Sequence, residues 1–147
     1  MKVLGLLFLS CLLLLLHPAI ATQPVSIEAD DVLVRVPMPG RTVTAGYLTL
    51  RNNSTQMRQL VAVQSDAFNR IELHTHTHVD GMMRMVQVDA IDIAAAGETV
   101  LQPGGLHLML FEPTTSLEEN ELVTLQLQFD DGTQLQVDAR LVLPPRR

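Results

Sequence analysis

The chain is 147 residues long, room for one domain, and its 16 acidic against 10 basic side chains give a net charge of −6. That balance argues against nucleic acid and anionic membrane surfaces as partners. Its one cysteine, Cys11, leaves no pair for an internal disulfide.

The first element is a targeting segment. Lys2 supplies a positive start, Val3 to Leu16 is an almost unbroken apolar run, and Ala19-Ile20-Ala21 places small residues where a signal peptidase reads. The run falls short of the ~20 residues a spanning helix needs. Cys11 is followed by further leucines, whereas a lipidated cysteine would close the apolar region. We therefore expect residues 1–21 to be a cleaved signal peptide and the protein to be exported, with residues 22–147 as a single mature domain. That domain carries nine arginines and 16 acidic residues, hence a charge of −7, and no cysteine. Thiolate metal chemistry is thereby excluded.

Alternation dominates from there on. Strands are expected at Ile27 to Val36, Thr44 to Leu50 and Gln59 to Val63, with Met38 to Arg41 as a loop. Ile71 to His76 and Met83 to Val88 flank Asp80-Gly81, a hairpin signal. Val100-Leu101 and Leu106 to Phe111 surround the turn Pro103-Gly104-Gly105, and a loop follows from Glu112 to Asn120. Val123, Leu125, Leu127 and Phe129 alternate with polar residues. After Asp131-Gly132 the pattern resumes at Leu135, Val137, Ala139 and Leu141. Short strands separated by frequent turns predict an all-β antiparallel sandwich or barrel.

The chemistry gathers in two segments. His74, His76 and His78 precede Met82, Met83 and Met85, and His107 and Met109 follow the Gly-Gly turn. Imidazole and thioether make a soft, neutral ligand set that suits Cu(I), whereas zinc sites draw on Cys, His and carboxylate. His107 and Met109, two apart on a strand, share a face. A two-residue turn at Asp80-Gly81 sets His76 opposite Met85, with His74 diagonal to Met85 on the same face. Register alone leaves His74 and His76 both open as ligands. Met38 and Met57, outside both segments, read as packing or surface residues.

His74, Met85, His107 and Met109 follow the pattern H-x10-M-x21-H-x-M. With Ala45-Gly46-Tyr47-Leu48, Ile71-Glu72-Leu73-His74 and Pro103-Gly104-Gly105-Leu106-His107-Leu108-Met109, this resembles the periplasmic copper chaperone PCuAC family (DUF461-like) over nearly all of the mature chain. The resemblance implies a cupredoxin-like β-sandwich of Greek-key type and a near-surface Cu(I) site made by His74, Met85, His107 and Met109. It also implies delivery of copper to the Cu(A) centre of a terminal oxidase, alongside a Sco-type thiol chaperone. His76 and His78 lie outside that signature and are read as a weaker Cu(II) or entry site, on the ground of three imidazoles on one strand face.

No nucleophile is paired with a base, so no enzyme is expected. A blue-copper electron carrier would need a cysteine ligand, which the mature domain lacks. Copper sequestration for tolerance needs the same site as delivery, and a metal-free envelope interaction module would make the His and Met clusters incidental.

Overall fold

The computed structural model describes residues 26–145. The expected signal peptide, Cys11 and the last two arginines lie outside them. Ten strands and no helix are found among the described residues: β1 Ile27–Arg35, β2 Val43–Asn52, β3 Arg58–Gln64, β4 Phe68–Val79, β5 Met82–Gln87, β6 Ile91–Ile93, β7 Glu98–Leu101, β8 His107–Pro113, β9 Leu122–Phe129 and β10 Gln134–Val142. They hydrogen-bond in the order β5-β4-β8-β2-β1-β10-β9-β3-β6, with β7 also on β2. The all-β expectation therefore holds. Within it β1 and β10 run parallel, which alternation alone does not reveal.

The sheet closes around one core because both halves of the path send alternate side chains inward. Leu48 and Leu50 of β2 and Leu108 and Leu110 of β8 meet Leu125 and Leu127 of β9 and Leu141 of β10 in one buried cluster. The period is broken in β3, where the register with β9 shifts between Leu60 and Ala62, and in β1. Asp31 takes a left-handed φ of 51°, and the register with β2 shifts by one residue between Asp30 and Leu33. This β-bulge turns inward-facing odd positions (Ile27, Ala29) into inward-facing even ones (Val32, Val34).

Two features position the candidate site residues. The first is the β4–β5 hairpin, closed by Asp80 at φ 52° and Gly81 at φ 76°, the pair of left-handed residues that a type I′ turn demands. It sets His76 opposite Met85 and His78 opposite Met83, the register expected from the turn. The second is β8, wedged between β4 and β2, with His74 opposite His107, Glu72 opposite Met109 and Ala45 opposite Met109. Because facing residues share a side of the sheet, Glu72, His74, His76, Met85, His107 and Met109 all emerge on one surface, while Leu73 and Leu108 enter the core.

Candidate metal centre

His107 stands at the middle of that surface. It is buried, although it points away from the core, because its neighbours cover it. The His76 ring stacks on it at 5.0 Å between centroids, and the His74 ring lies at 5.8 Å on a tilt. Its Nδ1 is 3.0 Å from the Gly105 carbonyl oxygen, and its Nε2 is 3.1 Å from the Met85 sulfur. A carbonyl only accepts, so the ring hydrogen belongs on Nδ1 and the Nε2 lone pair faces the thioether. Two lone-pair donors then converge where an electron-poor ion would bind both.

His74 is held the same way by a different partner. Its Nε2 lies 2.8 Å from Glu72 Oε2, and Glu72 in turn meets Arg70 at 2.7 Å. Arg70 is itself laid over the Phe111 ring, 4.1 Å from its centre. An ionised carboxylate accepts the Nε2 hydrogen, leaving Nδ1 as the lone-pair nitrogen. That Nδ1 is buried and has no hydrogen-bond partner. Carboxylate-backed histidines of this kind are common metal ligands, because the partner fixes ring orientation and raises basicity.

Met85, His107 and Met109 line one open cavity of about 260 Å³ together with Met38 and Ala45. His74 does not line it; it sits beside His107, on the hairpin side. Met109 is half-buried, and Met85 is 47% exposed. Met38 lines the cavity wall from the β1–β2 turn, so its expected packing or surface role is only part of its placement. Met57 is exposed and does not line that cavity. Glu72, Gly105 and Met38 are the neighbours that reading the sequence did not bring to this centre. Glu72 left a trace, since it alternates with His74 on one strand face.

Among the described residues, no group of three or more His, Cys, Asp and Glu side chains is placed to hold a metal ion. A metal bound on this surface would use the thioethers, and a His/Met set favours a soft monovalent ion over zinc.

Burial pulls the His107 pKa below the ordinary histidine value of 6.5. The nearby His76 and His74 rings add to the shift, and the Gly105 hydrogen bond opposes it. Between the lowered folded value and the unfolded one, the unfolded chain binds a proton that the native chain refuses. The metal-free protein should thus keep its full stability above about pH 6.5 and lose some as pH falls through the folded pKa. Thermal unfolding from about pH 7.5 to about pH 5 measures this. A midpoint with no His107-dependent fall, judged against His107→Ala, would contradict it.

The strand order, the all-β architecture and this His/Met surface place the chain in the cupredoxin-like PCuAC fold class. The copper-bound PCuAC domain of PmoF2 superposes with a TM-score of 0.68 at 21% identity, over 81% of this chain and 94% of that one. The chain belongs to the LpqE-like family, described as "Putative lipoprotein LpqE-like", whose model matches residues 27–141. The Cu(I) form of DR1885 from Deinococcus radiodurans is 34% identical, with a TM-score of 0.64, over 81% of this chain and 78% of that one. Protein RP573 of Rickettsia prowazekii (strain Madrid E) is 32% identical over 99 residues, which is 67% of this chain. The match spans 55% of that relative's length.

Proposed function

We propose that this protein is an exported Cu(I) carrier that holds its cargo on His74, Met85, His107 and Met109 and delivers it to the Cu(A) centre of a terminal oxidase. The observation that carries the reading is the His107 Nε2 lone pair 3.1 Å from the Met85 sulfur, with the unpartnered His74 Nδ1 on the neighbouring ring. The Cu(I)-bound state of DR1885, a relative at 34% identity, supports copper as the cargo.

The geometry suits carriage. Glu72 and the Gly105 carbonyl fix both ring tautomers, so neither imidazole has to reorganise when the ion arrives. Burial favours the neutral His107 ring, the form that binds a metal, and thioethers do not titrate. The exposed Met85 is a ligand that an acceptor can displace first, so the ion leaves stepwise without opening the core. The acceptor is a Cu(A)-bearing oxidase subunit, with a Sco-type thiol protein acting alongside. Export rests on Lys2, the apolar run and the small residues before Thr22. We read cleavage after Ala21 in preference to lipid attachment at Cys11, although the family's description is that of a lipoprotein.

The test is Cu(I) competition against a chelator under reducing conditions, using the purified protein beside Met109→Ala, His74→Ala and His76→Ala. One tight Cu(I) per chain is expected. M109A and H74A should each weaken it by at least the roughly 10–100-fold typical of disturbing even a ligand's hydrogen-bond partner, and H76A by less than H74A. The reverse order for the two histidines would redraw the site around His76. No tight binding would end the carrier reading.

A further inference from the structure

The β4–β5 hairpin continues the His/Met chemistry beyond the four-residue site. Its register pairs His76 with Met85 and, one step nearer the turn, His78 with Met83. Both pairs lie on the surface that carries His107, since alternate residues of a strand share a face and facing residues share a side. The next pair inward is joined by ring stacking, His76 on His107 at 5.0 Å. Four imidazoles and three thioethers therefore lie on rungs about 7 Å apart along the strands: His78 with Met83, His76 with Met85, His74 with His107, and then Met109 opposite Glu72.

The outer rung is open to solvent. His78 is exposed and Met83 is 57% exposed, on an edge strand whose six residues are all exposed. An apolar thioether left in water at an edge carries no packing role there. Between His74 and Gln87 the only charged residues are Asp80, in the turn, and Arg84. Arg84 pairs with Thr77, on the opposite face, so the hairpin's one cation stays off the rungs. From His74 out to the turn the rung face is neutral and soft; the first charge on it is Glu72, inward of His74 and opposite Met109.

We propose that His78 and Met83 form an outer Cu(I) subsite through which the ion reaches, and leaves, the site at His107 by stepping across His76 and Met85. This rests on the carrier reading for its inner end, but the outer subsite has its own signature. Labelled methionine methyl groups, followed by NMR during anaerobic Cu(I) titration, report each rung separately. The first equivalent should shift Met85 and Met109, and the second should shift Met83. In the combined His78→Ala, Met83→Leu variant the second phase should vanish, and transfer of the first ion to a soluble chelator should slow severalfold. Thr77→Val, on the opposite face, should keep both phases and the parent rate. A Met83 methyl that stays silent past the first equivalent overturns the proposal, and so does a parent-like transfer rate in the double variant. If Met85 and Met109 stay silent while Met83 shifts, the inner site fails and the outer subsite stands.

Discussion

Replacing His107 with alanine is expected to lower Cu(I) affinity by more than about a hundredfold, the upper end of what loss of a ligand's supporting partner alone costs. The reason is position. His107 alone touches the other three groups around it: Met85 at 3.1 Å, His76 by stacking and His74 across the β4–β8 pair. Removing Met109 or Met85 leaves two imidazoles and a thioether, still a usable soft set. Removing His107 leaves His74 and Met85 with no donor between them. The ring is also buried, so a freed site would gain no preorganised replacement; water would enter instead. Chelator competition on the parent and H107A measures the loss, and thermal unfolding of both metal-free proteins shows that the variant is folded. An affinity within about threefold of the parent, or about 0.65 kcal/mol, would remove His107 from the proposed ligand set.

Much of this site is legible in the residues alone. Two residues of spacing put His107 and Met109 on one face, and the Asp80-Gly81 turn sets His76 against Met85. Both are local facts, determined within one strand or one hairpin. What is not legible depends on pairing between distant segments. Glu72 reaches His74 along one strand, yet its burial and its opposition to Met109 come from β8, some 37 residues on. Met38 nears the cavity only because β1, its turn and β2 bring it there. The fold divides the same way. Val123 to Phe129 shows itself by strict alternation, and all four apolar residues are buried. Ile91–Ile93 escapes a reading by alternation because three residues are too few to establish a period, although Ile91 and Ile93 are among the most buried side chains. The bulge at Asp31 has no turn residue such as glycine to announce it, and the parallel β1–β10 pairing joins segments over a hundred residues apart. Strand β4 runs from Phe68, earlier than expected, because Asn69 and Arg70 interrupt its apolar pattern while its backbone still pairs with β8.

The second large effect concerns the support under the site. Leu108 lies between His107 and Met109 and is fully buried, opposite Leu73 of β4 and Gly46 of β2. Packing there is close: a Cβ built on Gly46 would come within 3.2 Å of Leu110 and Val34 and 3.4 Å of the Leu108 Cβ. Strands that approach each other this tightly on a glycine cannot slide inward to fill a void. Leu108→Ala should consequently cost near the full range for a buried leucine, about 2–5 kcal/mol, a large part of the roughly 5–15 kcal/mol that holds a domain of this size together. Urea unfolding should show a lower midpoint at an unchanged slope. Copper should respond differently. His107 and Met109 are aimed by the β8 hydrogen bonds to β4 and β2, and these survive the loss of a side chain on the other face. Cu(I) affinity, measured where L108A is still folded, should then stay within about threefold of the parent. A hundredfold loss there would mean that core packing, and not the strand ladder, aims the two proposed ligands. Full stability in L108A would mean that the contact at Gly46 relaxes more easily than its distances suggest.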